Sequence, residues 1–118
     1  MLRKASIKDV KRIHAIVNSA ASKGEMLARS LGELYDNMRD YFVYEEHGRV
    51  LGAGALHICW EDLAEIRSLC VAESARKRGI GRLLVEACIE EARKLNIVKV
   101  FLLTYQDEFF AKCGFTVV

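Results

Sequence analysis

At 118 residues with a net charge of +2, the chain is of single-domain size, with enough length for a real core. That charge balance argues against nucleic acid or a membrane surface as partner, because the basic excess is local to residues 76–82. The N-terminus, MLRKASIKDVKR, has charge but no apolar leader, and no stretch is long enough to span a bilayer, which favours a cytoplasmic protein.

Residues 2–5 read as a short first strand. Ser6 then has the character of a helix N-cap, with Asp9 three residues on closing a capping box. The helix that follows, residues 7–22, places Val10, Ile13, Ile16 and Val17 on one face, with His14 as a polar neighbour. Gly24 ends it. Ser30 and Glu33 form a second capping box ahead of a helix over 31–39, whose expected buried face is Leu34, Tyr35 and Met38.

Two strands, 41–46 and 49–59, flank His47-Gly48, a dipeptide suited to a tight hairpin turn. Trp60-Glu61-Asp62 turns the chain into a further strand over 64–72, apolar except for Glu65 and Arg67. A short polar loop leads to Arg76-Lys77-Arg78-Gly79-Ile80-Gly81, which opens an amphipathic helix. Its apolar residues are Ile80, Leu83, Leu84, Ala87, Cys88, Ala92 and Leu95, spaced three and four apart. Asn96 reads as the C-cap, 97–103 as a strand, 106–112 as a short helix, and Gly114-Phe115 as the start of a last strand. Cys59, Cys70, Cys88 and Cys113 show no Cys-x-x-Cys spacing and mostly sit in apolar patterns. They read as reduced core thiols, with neither a disulfide nor a metal site expected.

The stretch from 64 to 81 carries the chemistry. A glycine-punctuated turn entering a helix exposes the helix's first unpaired N–H groups, and these with the helix dipole favour a bound phosphate. Gly79 and Gly81 lack Cβ, so a ligand can approach the backbone. Arg76, Lys77, Arg78 and Arg82 put four cations at the same turn, more than one phosphate needs and enough for a polyphosphate. The alternative is a solvated basic helix start whose glycines serve only turn geometry.

The pattern Arg-x-x-Gly-x-Gly, after a strand and before a helix, resembles the acetyl-CoA pyrophosphate loop of the GNAT acetyltransferases. The order of predicted elements agrees over essentially all 118 residues. The resemblance implies an α/β (α+β) fold, a mixed central sheet flanked by helices, forming one domain over 1–118. The family continues past this point with a further strand, so the chain reads as shortened at its C-terminus. The implied co-substrate is acetyl-CoA, with no metal. Leu69 and Val71 would line the pantetheine arm by their backbone, with Cys70 between them facing the core. The pyrophosphate would sit on Arg76, Lys77, Arg78, Gly79, Ile80, Gly81 and Arg82. Phe110, counted among the cofactor-binding positions, stands where the family usually has a tyrosine general acid. Tyr105 is the nearest substitute, with packing as its other role. Dimers are common in the family, yet no interface signature identifies a homodimer here.

Acetyl transfer to an amine needs a neutral amine, a polarised thioester carbonyl and a stabilised leaving thiolate. Glu65 lies eleven residues before Arg76, the offset of the catalytic glutamate in the histone-acetylating branch. It is the candidate base, although Arg67, two residues on and so on the same strand face, offers it an ion pair that would make it a poorer one. Cys70 has no histidine near it in sequence, which favours direct attack over an acyl-enzyme.

Leu27-Ala28-Arg29-Ser30, the run from Trp60 to Leu69 and the run from Leu103 to Phe110 resemble the N-acetylglutamate synthase-like domains of this family, including stand-alone versions. In that group an arginine at the position of Arg29 binds a glutamate carboxylate, a task that suits a planar guanidinium. Leu27, Arg67 and Ser68 are the other substrate-lining positions, Ser68 replacing a frequent cysteine. The implied reaction is acetylation of L-glutamate at the head of arginine biosynthesis. Two rivals stay open: a GNAT enzyme for another amino acid or a protein amine, and a regulator that binds acetyl-CoA without turnover.

Overall fold

The computed structural model describes residues 1–104 and 106–116. Strand β1 (Leu2–Lys4) runs into a 3-10 turn and helix α1 (Val10–Ser22), and helix α2 (Leu31–Asp36) follows. Strands β2 (Tyr41–Glu46), β3 (Arg49–Trp60) and β4 (Leu63–Val71) form a meander. Helix α3 (Ile80–Lys94), strand β5 (Lys99–Phe101) and helix α4 (Asp107–Lys112) complete the described elements. The sheet is five-stranded in the order β1-β2-β3-β4-β5, antiparallel up to β4, with β5 parallel to β4. This is a mixed sheet with helices on both faces.

Local chemistry explains the ends of these elements. His47 and Gly48 both take positive φ, 53° and 75°, which the two-residue turn between β2 and β3 requires. Helices α1, α3 and α4 each stop in the same way. A residue of positive φ (Gly24, Asn96, Gly114) follows the last turn, and the next N–H reaches back to Ala20, Ala92 or Phe110 at 3.1, 2.9 and 3.0 Å.

One core layer packs Val10, Ile13, Ile16 and Val17 of α1 and Leu34 of α2 against Tyr41, Val43, Ala53, Ala55 and Cys70 of the sheet. The other packs Val85, Cys88 and Ala92 of α3, with Phe110 of α4, against Leu56, Ala64 and Ile66. Strand β4 thus presents Ile66 to one layer and Cys70 to the other. The switch is a β-bulge: Ala53 pairs with Cys70 but Ala55 with Arg67, and Ser68 between them has φ 55°. Gly54 faces this bulge, and a Cβ there would lie 2.8 Å from Leu69 Cδ1. Its missing side chain makes room for Leu69.

Several expectations from the sequence need correction. Tyr35 is exposed, and the predicted helix over 31–39 is broken after Asp36 by a 3-10 turn at Met38–Asp40. In α3, Leu83 is 44% exposed and Leu95 lies on the exposed C-cap, whereas Val85 is buried. At about 100° per residue Leu83 falls outside the stripe centred on Leu84, Cys88 and Ala92, and the spacing rule alone does not reveal this. The strand expected over 97–103 is paired only from Lys99 to Phe101. Residues 114–116 form no strand, and the remainder of that expected strand lies outside the described residues. Cys59 is exposed near the tip of the β3–β4 hairpin and is not a core thiol.

Asp9 is the charged residue this fold buries most, at 4% exposure. Arg3 donates to both of its oxygens at 2.8 and 3.0 Å, and the Ser6 N–H and hydroxyl donate at 2.7 and 3.0 Å. The Arg3 bonds lead in pulling the carboxyl pKa from 3.8 to about 2, against the cost of burial. A depressed folded-state pKa means the stabilisation is whole above the unfolded value and fades as pH falls toward 2. Asp9→Asn is therefore expected to lower stability at pH 7 by about 2 kcal/mol. Urea melts of the two proteins between pH 7 and pH 2 should show that gap narrowing only below about pH 4.

Candidate active site

Strand β4 parts from β5 after Glu65, the last residue paired across that edge, opposite Phe101. From Ile66 onward, among the described residues, β4 has β3 as its strand partner and no pairing to β5. The Ala72 N–H is bonded to Leu51 O at 2.7 Å, on the β3 side. Because strand N–H groups alternate sides, those of Val71 and Leu69 point into the opening. Two donors turned toward a wedge are the geometry needed to hold an amide-bearing chain and to polarise a carbonyl at its end.

The wedge leads to the turn at residues 76–79. Lys77 and Gly79 both adopt positive φ, 64° and 81°, bending the chain twice before α3 begins. The first intrahelical bond at this end is Leu83 N–H to Gly79 O at 3.1 Å, so the amides before it have no helical acceptor. Gly81 sits on the first turn, where a Cβ would meet the Phe109 ring at 3.2 Å. The Ile80 side chain is buried under α3, leaving only its backbone to the turn. Of the four cations, two already hold carboxylates: Arg76 binds both oxygens of Glu25 at 3.1 and 2.9 Å, and Arg78 binds Glu46 at 2.6 Å. Lys77 and Arg82 are exposed and have no ion pair among the described residues.

Phe110 does not face this surface. Its ring is 8% exposed and packs edge-on against Phe109 and Phe115, so it belongs to the core, and Phe109 is the aromatic beside the turn. Tyr105 lies outside the described residues. The Cys70 thiol is buried against α1, and burial pushes its pKa up to about 12. A group that stays a thiol at neutral pH is no nucleophile, which fits direct attack.

On the α1–α2 face, beside the same stretch of β4, lies a narrow cleft. It is lined by Arg29, Glu33, Asn37, Asp40, Tyr41, Ala55, His57 and Arg67. Arg29 and Arg67, 38 positions apart in the chain, thus converge. The Arg29 backbone is held on both sides by Asn18 of α1, whose amide donates to Arg29 O at 3.0 Å and accepts from its N–H at 3.3 Å. Its guanidinium leans on Glu33 at 3.3 Å, a loose contact that a substrate carboxylate can displace. Leu27, on the same loop, is 61% exposed and lies outside this lining.

Glu65 accepts from Arg67 Nε at 2.7 Å, the pairing that their spacing offers, and its side chain is largely buried. Across the strand pair Glu65 lies opposite His57, whose Nδ1 is 2.8 Å from Asp40 Oδ2. Ser68 accepts a hydrogen bond from the Tyr41 hydroxyl at 2.9 Å, with both side chains buried. Sequence reasoning missed Asn18, Tyr41, His57 and Asp40. Only Asn18 left a trace, as a residue that disfavours a helix interior unless its amide has other work.

These features match a known family. The acetyltransferase (GNAT) family model matches residues 10–115, and the chain belongs to that family. It is an acyltransferase of the kind that draws its acetyl group from acetyl-CoA. Within the family it is similar to an amino-acid acetyltransferase of Mycobacterium tuberculosis, 39% identical over 98% of this chain and 68% of that protein. A Mycobacterium tuberculosis structure in complex with CoA and NLQ superposes with a TM-score of 0.95, at 38% identity over all of this chain and 72% of that one. N-acetylglutamate synthase from Neisseria gonorrhoeae, complexed with coenzyme A and N-acetyl-glutamate, superposes at 0.94 with 29% identity over all of this chain and 28% of that one. Among the described residues no helix is long and apolar enough to cross a membrane.

The Tyr41–Ser68 bond joins the start of β2 to the bulge in β4. Tyr41→Phe would leave a buried serine hydroxyl without its donor, and a loss of about 1–2 kcal/mol in unfolding free energy is expected. Pairing it with Ser68→Ala in a double-mutant cycle should give a combined loss smaller than the sum.

Proposed function

We propose that this protein converts L-glutamate to N-acetyl-L-glutamate as a cytoplasmic enzyme at the head of arginine biosynthesis. The observation that carries the reading is the convergence of Arg29 and Arg67 in one cleft beside the stretch of β4 that has parted from β5. Two guanidiniums in so small a space suit a substrate with two carboxylates. The complex of the gonococcal synthase with coenzyme A and N-acetyl-glutamate supports the choice of acceptor.

In this reading Arg29 and Arg67 take the carboxylates, with Ser68 and the Leu27 backbone completing the acceptor side. Acetyl-CoA lies along Leu69 and Val71, its pyrophosphate on the amides and cations of residues 76–82. The α-ammonium loses one proton to Glu65, directly or through a water. Its nitrogen then attacks the thioester carbonyl carbon, and the N–H groups of the open β4 edge stabilise the oxyanion. The C–S bond breaks as the leaving thiolate takes a proton that we assign to Tyr105, and the nitrogen's second proton passes through water to restore that tyrosine. A substrate carboxylate that draws Arg67 toward itself loosens its hold on Glu65 and frees that carboxylate to face the acceptor amine.

The test is mass-spectrometric detection of acetylated product from acetyl-CoA and a panel of free amino acids. N-acetylglutamate is expected as the main product, with kcat/KM falling roughly 10- to 100-fold in Arg29→Ala, the loss of a charge-assisted bond. Selective acetylation of another amino acid would keep the transferase and move the acceptor. Acetyl-CoA binding without product from any amino acid would overturn the reading in favour of a protein acceptor or a regulator.

A further inference from the structure

Two ion pairs tie the loop after α1 to the loop before α3. Arg76 grips Glu25 through both guanidinium nitrogens, at 3.1 and 2.9 Å, across 51 positions of sequence. Lys23 reaches Glu73 at 2.8 Å beside it. The same guanidinium also donates through Nε to Val71 O at 3.4 Å, where β4 finishes. A continuous line of contacts therefore runs from β4 through Arg76 to Glu25. From there it is four residues to Arg29, which Asn18 pins to α1. The first loop carries Leu27 and Arg29, and the second carries the phosphate-binding turn.

Exposed ion pairs contribute little to global stability. A bidentate Arg–carboxylate pair nevertheless fixes orientation as well as distance. With the single Lys23–Glu73 contact beside it, the two ties restrict the relative movement of these loops more than either alone. Neither is needed for the core, because Lys23, Glu25, Glu73 and Arg76 all lie outside the core clusters.

We propose that Glu25, seconded by the Lys23–Glu73 pair, is a positioning residue that couples the two substrate sites. This rests on the assignment of the two loops to acceptor and acetyl-CoA made above. Cofactor settling on residues 76–82 steadies Arg76. Arg76 through Glu25 steadies residues 23–30, so the Arg29 side of the cleft is set for the acceptor once acetyl-CoA is in place. Linkage makes the coupling mutual: the acceptor tightens acetyl-CoA by the same factor.

Hydrogen–deuterium exchange of the full chain with acetyl-CoA alone reads this without any acceptor. In the wild type, exchange should slow together at 76–82 and at 23–30. Glu25→Ala should keep the first and lose the second, and Glu25→Asp should recover part of it. In steady-state assays Glu25→Ala should raise the acceptor KM about fivefold, the upper end of what an exposed pair supplies. Its kcat should stay within about twofold. Lys23→Glu should weaken the effect, and the reversed pair, Lys23→Glu with Glu73→Lys, should restore it, which gives a second route should Glu25→Ala fold poorly. Slowing at 76–82 alone in the wild type, or faster exchange at 23–30 with acetyl-CoA, overturns the coupling and leaves the cofactor assignment standing. No slowing anywhere under saturating acetyl-CoA overturns both.

Discussion

The backbone of Ser68 sits at φ 55°, a conformation that residues other than glycine rarely adopt, and much of the site depends on that one bend. It inserts an extra residue into β4 opposite Gly54, turns Cys70 from the α3 layer to the α1 layer, and accompanies the parting of β4 from β5. A regular β4 would alternate without interruption and would continue to offer its edge to β5. The wedge in which Leu69 and Val71 present their amides would then be filled by strand pairing. The surroundings hold the strained residue in place: Gly54 makes room for Leu69, and the buried Tyr41 hydroxyl bonds Ser68.

Electrostatics on the two sides of the sheet follow a common pattern. Four of the six cations placed at the site are already matched to a carboxylate of the protein: Arg29 to Glu33, Arg67 to Glu65, Arg76 to Glu25 and Arg78 to Glu46. Such pairing keeps guanidiniums oriented while the site is empty and moderates a cluster of like charges at the turn. In the reading proposed above, an anionic ligand enters by exchange of partners at Arg29, Arg67 or Arg78 while Arg76 keeps Glu25, so its net gain is smaller than a count of cations suggests.

Local patterns in the chain carried much of this. The capping boxes at Ser6/Asp9 and Ser30/Glu33, the His47-Gly48 turn and the apolar face of α1 are all present as the sequence implies, because each is decided by contacts within a few residues. Errors came where the environment decides. Leu83 and Tyr35 have the spacing of core residues but face solvent. Phe110 occupies a position associated with ligand yet turns inward, and the 97–103 strand pairs over three residues. Whether an apolar side chain is buried depends on what lies opposite it, and that information is not in the spacing.

Sequence by itself determined the element order, the caps and hairpin turn, the basic glycine turn before a helix, and the family these features identify. All of these arise from residues close together in the chain, where propensity and hydrogen-bonding reach are enough. Tertiary structure alone decided that Asn18 holds the loop on which Arg29 stands, that Tyr41 caps the bulge at Ser68, and that Arg76 spends its charge on Glu25. Each of these joins elements far apart in sequence. Their geometry is set by how sheet and helices pack, so no local pattern of residues could announce it.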